Sequence, residues 1–190
     1  MKMRTAVFVP FFFMFLSVLS SQAQDDKEPT WQETADFIAR TLEHFGRAGY
    51  CAPNGYDKDG ISNVTINAKN LTYQSICRFE KEEVTHIMSF PLDKLDVGTI
   101  QVSKTEEPYT RKQVFEVLIF CLEGSCVQDT LLSRVQADVG GQWGEPKKTA
   151  EYAFDAFYID LTDEDAANRL ARALKHLALL AASPRELFDH

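Results

Sequence analysis

The residues whose types and spacing could do chemistry are few, and the four cysteines come first among them. Cys51, Cys77, Cys121 and Cys126 form an even set, and four cysteines allow three pairings. Phe115, Val117, Ile119 and Cys121 alternate along an expected strand, and Leu122 to Ser125 make a four-residue turn that sets Cys126 opposite Cys121. The chain therefore favours Cys121–Cys126 and, by elimination, Cys51–Cys77. The second bridge closes a loop of about 27 residues, worth roughly 3 to 4 kcal/mol in a chain-entropy account. Cys121 and Cys126 lack the Cys-x-x-Cys spacing of a thiol oxidoreductase, so a structural bridge is expected and redox chemistry is not.

His86 lies between Val84 and Met88 at an inward-looking strand position. An imidazole there is a base, a ligand or, more simply, a hydrogen-bonded histidine of the sheet wall. His44, His176 and His190 have no second His, Cys or carboxylate at ligand spacing, so no zinc site is expected. Asp57-Lys58-Asp59-Gly60 resembles the middle of a calcium loop, but with Gly60 at the sixth position the end ligands would be Gly55 and Ile66. A polar turn before the first strand is the expected reading. The sequence holds no Gly-x-Ser-x-Gly elbow, no phosphate-cradling glycine loop and no His-Glu-x-x-His helix. No catalytic residue, cofactor or metal is therefore expected, and the chain is read as non-enzymatic. Trp143, in the glycine-rich segment 140–149, and Tyr109, in the segment 106–112, are the candidate binding surface. Large rings on loops anchor partners; the alternative for Trp143 is a ring folded back over the sheet.

The elements that must position these groups follow from periodicity. Thr30 and Glu33 have capping-box spacing, and Trp31, Ala35, Ile38, Leu42 and Phe45 share one helical face that ends at Gly46. From Ile61 the period becomes two, and strands are expected over 61–68, 71–79, 84–90, 97–104, 113–121, 126–134 and 151–160, with a charged turn from Glu80 to Glu83. A last helix is expected to be capped by Thr162, with Ala166, Leu170, Leu174, Leu177 and Ala181 on its apolar face. Asp163, Glu164 and Asp165 precede Arg169, Arg172 and Lys175 in it, an order that suits the helix dipole.

The 190 residues are 45% hydrophobic and 25% charged, a balance that suits one globular domain. Met1 to Arg4 is basic, Ala6 to Leu19 is apolar, and Ser21-Gln22-Ala23 supplies small residues for cleavage. Residues 1–23 thus read as a signal peptide, because the apolar run is too short to span a bilayer, leaving 24–190 as a single domain that is periplasmic or secreted. Without 1–23 the net charge moves from −8 to −10, which disfavours nucleic acid and anionic lipid. The sequons at Asn63 and Asn70 are chance in a chain read as bacterial.

Seven antiparallel strands between an N-terminal helix and a C-terminal helix give an α+β fold built round a bent sheet or open barrel. Three stretches carry a family likeness: Pro91-Leu92 with Leu95-Asp96, Cys121-x-x-Gly124-x-Cys126, and Ala167-x-Arg169-Leu170-x-Arg172 continuing to Leu177. Through them the chain resembles exported bacterial proteins of unassigned role with a pleckstrin-homology-like domain. That resemblance implies the split barrel and transfers no catalytic residue. The leading expectation is a protein- or peptide-binding module of the envelope. The alternative is a periplasmic carrier of a small apolar ligand or lipid, with Phe90, Phe115, Phe120 and Phe154 lining its cavity; an enzyme centred on His86 ranks last.

Overall fold

The computed structural model describes residues 28–47, 56–106, 111–137 and 141–183. Helix α1 spans Trp31–Phe45 and begins as its sequence dictates: Thr30 and Glu33 exchange the reciprocal hydrogen bonds of a capping box, satisfying donors that the first turn leaves open. Its C-terminal Gly46 has an ordinary extended φ of −70°, so the glycine is needed for space and not for a left-handed stop. A Cβ there would collide with the Leu42 carbonyl oxygen and with Ile61.

The chain continues through β1 (Gly46–Arg47), β2 (Tyr56–Ile66), β3 (Asn70–Arg78), β4 (Glu82–Pro91), a short 3-10 turn at Leu92–Lys94, β5 (Gln101–Glu106), β6 (Gln113–Phe120), β7 (Val127–Val135), β8 (Lys147–Phe154), β9 (Ala156–Leu161) and α2 (Glu164–Ala182). The strands form two antiparallel sheets, one ordered β1-β9-β6-β5 and the other β2-β3-β4-β7-β8. The fold is therefore α+β with a helix at each end, as expected, but the described strands number nine in two sheets and do not close a barrel. Two local events account for the difference from seven. Residues 46–47 pair with Asp160 and Leu161 directly after α1, and the expected strand 151–160 breaks at Asp155, so that β8 belongs to one sheet and β9 to the other.

The calcium-like segment 57–60 lies within β2 and not in a turn before it. A register shift falls between Asp57 and Ile61, and Gly60 there has φ +70°; a Cβ added to it would lie 2.8 Å from the Gly46 carbonyl oxygen. A glycine bulge of this kind lets two backbones approach. The cap of α2 is Asp163, one residue later than expected, whose Oδ1 accepts from the Ala166 amide at 2.7 Å. Thr162 instead links the start of α2 to the end of α1, its amide donating to the Phe45 carbonyl at 3.1 Å.

Cys121 and Cys126 are bonded, with their Cα atoms 5.8 Å apart. The pairing is the expected one, but the setting is not a hairpin: β6 and β7 belong to different sheets, and the bridge closes the corner between them. The second expected pair falls on Cys51, which lies outside the described residues, as do 1–23, Tyr109 and His190. The core is built from Ile38 and Leu42 of α1, Leu170, Leu174 and Leu177 of α2, and Phe90, Ile119, Ile159 and Leu161 of the sheets, all nearly or wholly removed from water. No described helix is long and apolar enough to cross a membrane.

Candidate functional site

Pleating puts alternate residues of each strand on one face, and the register then assembles a surface from distant parts of the chain. Tyr73 faces Met88, Met88 faces Asp129 and Asp129 faces Tyr152, one continuous row across β3, β4, β7 and β8. The adjacent row is Ser75, His86, Leu131 and Ala150. Apart from Ala150, these rows form one wall of a cavity of about 390 Å³, and Arg47 of β1 with Ala156, Phe157 and Tyr158 of β9 forms the other. The cavity lies beside the point where the chain passes from one sheet to the other at Asp155. Phe90 stacked on Phe157, with centroids 4.0 Å apart, fills the corner on one side. Beyond it the inward positions mix polar side chains (Ser75, His86, Asp129) with apolar ones (Met88, Leu131).

His86 and Asp129 are diagonal neighbours on this face, with Nδ1 2.9 Å from Oδ2. The carboxylate accepts from Nδ1–H, which fixes the ring and leaves Nε2 without a partner among the described residues. Asp129 is only 7% exposed, and its second oxygen, Oδ1, makes no hydrogen bond within the protein. Arg47 Nε is likewise buried without an acceptor. An unsatisfied buried polar atom costs about 1 to 3 kcal/mol, so two of opposite kind beside one cavity demand a reason. Burial, then the nearby charges of Asp129 and Asp160, raise the Tyr73 hydroxyl well above the usual tyrosine range, so it stays protonated. Tyr152 and Phe154 stand at the rim, 51% and 42% exposed, with their rings 6.3 Å apart.

The serine, histidine and aspartate on this face have the residue types of a hydrolytic triad, but no hydrogen bond joins Ser75 to His86 among those of the described residues. His86 is thus the hydrogen-bonded wall histidine of the simpler expectation, set in a cavity. Of the phenylalanines expected to line that cavity, Phe154 does so; Phe90 and Phe115 belong to the core, and Phe120 points to solvent. Tyrosines supply most of the aromatic lining instead. Arg47, Tyr73, Asp129 and Tyr152 went unread in the sequence. The usable signal was Asp129: it shares the period-two face of Val127 and Leu131, where a charge has no place unless it is partnered or used.

Trp143 lies elsewhere. The 141–146 segment folds back, Trp143 bridging to Gln136, and the indole covers the guanidinium groups of Arg78 and Arg134 at 5.4 and 5.3 Å. Both arginines grip Glu83, which is 1% exposed; Arg78 Nε reaches Oε2 at 3.1 Å and Arg134 Nε reaches Oε1 at 2.8 Å. Glu83, expected in a charged turn, is therefore a buried strand residue. Burial opposes its ionisation, but the hydrogen bonds from Arg78 and Arg134 outweigh this and hold its carboxyl below the ordinary value. The strand positions 78, 83 and 134 have the opposite parity to the cavity rows, so this cluster sits on the far face of the same sheet. Of the other histidines, His44 packs edge-on against Phe45, and His176 Nε2–H donates to the Pro29 carbonyl at 2.9 Å. No group of three metal-binding side chains occurs among the described residues. No protein-family model matches the chain, and no curated protein or solved structure shows significant similarity to it.

Proposed function

We propose that this protein binds a small amphipathic ligand in the cavity between its two sheets and serves as an exported carrier or receptor for it. The observation that carries this reading is the cavity itself: about 390 Å³, within the range of small-molecule sites, apolar over most of its lining and supplied with a few convergent polar groups. A ring of Tyr152, Phe154 and Phe157 takes the apolar body, and Arg47, His86 and Asp129 fix the polar end. Export to the bacterial envelope, through cleavage after Ala23, is supported by the basic and apolar leader in the sequence and by the Cys121–Cys126 bridge, since such bonds persist in oxidising compartments. Kinship with pleckstrin-homology-like domains is part of the same proposal. A C-terminal helix packed on α1 and β6 supports it, and the nine strands in two sheets depart from it.

Met88 offers a direct test. It lines the cavity, and the other three methionines lie at positions 1, 3 and 14. In protein labelled at the methionine methyls, with the resonance assigned by Met88→Leu, a library of small aromatic and aliphatic compounds should yield binders that move the Met88 signal saturably. If every binder leaves that signal in place, or if none binds, the carrier reading is lost.

The second reading, a protein- or peptide-binding module, is favoured by β8. It is the outer strand of the five-stranded sheet, and an extended peptide can add to such an edge. Amide shifts confined to 147–154, with Met88 unmoved, would select this reading over the first.

A further inference from the structure

The two orphaned polar atoms beside the cavity are of opposite kind. Asp129 Oδ1 needs a donor and Arg47 Nε needs an acceptor, and both side chains line the same space. Neither demand is met by the neighbours. His86 already spends Nδ1–H on the other oxygen of Asp129, and no hydrogen bond reaches Arg47 Nε although Asp160 faces Arg47 in the β1·β9 ladder. The remaining lining is largely aromatic or apolar and includes Tyr73, Met88, Tyr152, Phe154 and Phe157. We infer that the cavity takes a small zwitterion with an aromatic or large apolar body, of which an α-amino acid is the simplest case, its ammonium paired with the Asp129 carboxylate and its carboxylate with the Arg47 guanidinium.

The reasoning excludes the neighbouring classes. A purely apolar guest would leave a carboxylate oxygen and a guanidinium N–H dry and unpaired, the arrangement that binding sites reject most strongly. An amine alone satisfies Asp129 and strands Arg47; a carboxylate alone does the reverse and also lies near the Asp129 and Asp160 charges that raise the Tyr73 hydroxyl. The aromatic lining suits both a ring body and a cation, because the faces of Tyr and Phe attract ammonium groups. His86 acts here as a positioning residue, holding the Asp129 carboxylate so that Oδ1 is the oxygen left for the guest.

This inference rests on the small-ligand reading, and its test keeps the two apart. Three probes share a phenyl body: L-phenylalanine, 2-phenylethylamine with the amine alone, and 3-phenylpropionate with the carboxylate alone. Binding is read by calorimetry and by the Met88 methyl signal. Phenylalanine should bind at least tenfold more tightly than either single-group probe. Asp129→Asn, which keeps the bond to His86 but puts a donor where Oδ1 was, should weaken phenylalanine and phenylethylamine about tenfold and leave phenylpropionate unchanged. Arg47→Gln should give the mirror pattern. The inference is overturned if phenylalanine binds no better than the single-group probes, or if both variants weaken all three equally. If the three probes leave Met88 unmoved while a neutral compound such as indole moves it, the cavity reading survives and the zwitterion is wrong. Should Asp129→Asn fail to fold, the ranking of the three probes on the unaltered protein and the Arg47→Gln pattern decide the matter by themselves.

Discussion

The five-stranded sheet buries a carboxylate on each face, and the two are treated in opposite ways. On the outer face each oxygen of Glu83 is claimed by its own arginine, and Trp143 covers both guanidinium groups. On the inner face Asp129 has one oxygen on His86 and the other on no partner among the described residues. Strand register alone places both, since Glu83 lies opposite Arg78 and Arg134 just as Asp129 lies opposite Met88 and Tyr152. A saturated cluster under a lid stabilises the fold; an open one beside a cavity is available to a guest. The comparison teaches that burial of charge does not mark a site, whereas incomplete satisfaction next to space does.

The largest effect that should separate the two faces comes from removing one carboxylate. Glu83→Ala strands two partly buried arginines and should cost about 3 to 5 kcal/mol, the usual cost of breaking a buried pair from one side. Urea unfolding would measure it. A loss under 1 kcal/mol would mean that the outer cluster is screened by water and that the contrast with Asp129 is false. Acid should act through the same group. The Glu83 carboxyl lies below its ordinary value of 4.5 when folded, so its contribution is fully present above that value and is lost as the pH falls toward and through the folded one. Between about pH 5 and 3 the parent should therefore lose stability more steeply than Glu83→Gln, which begins lower but carries no such titration. Parallel slopes would remove Glu83 from the account.

Trp143→Ala tests the lid and should come next in size. Two guanidinium groups lose an aromatic face worth roughly 0.5 to 1 kcal/mol each, so a destabilisation of about 1 to 2 kcal/mol is expected, with ligand affinity unchanged because the ring is on the face away from the cavity. A drop in ligand binding without a change in stability would reverse that assignment and restore Trp143 as a binding anchor.

How much of this was legible in the sequence depends on how locally each feature is encoded. The α1 capping box and apolar face, the α2 apolar stripe and the Cys121–Cys126 bridge are set by residues within a few positions of one another, and each could be read from spacing. The break at Asp155 was not legible: residues 151–160 alternate without a glycine or proline to mark where the chain leaves one sheet for the other. Glu83 was hidden for a related reason, because the residues that neutralise it are Arg78, five positions away, and Arg134, fifty-one away. Of the candidate site, His86 and its inward position were visible. Arg47 and Asp129 come to line one cavity only through the pairing of strands in two sheets, and no periodicity within a single strand foretells that.

The smallest expected effect bears on the open face most directly. Tyr152 and Phe154 are exposed rim residues of an outer strand, and exposed positions rarely contribute more than about 0.5 kcal/mol to stability. Replacing both by Ser should leave the unfolding midpoint almost unchanged. The same change removes the aromatic walls that a guest would press against, so affinity for any cavity binder should fall about tenfold or more, in line with the weight that buried aromatic contacts carry in binding. Loss of affinity at constant stability is the signature of a surface kept for a ligand. A matching loss of stability would instead make the two rings an outlying part of the core, and the open oxygen of Asp129 would then need a partner from some other direction.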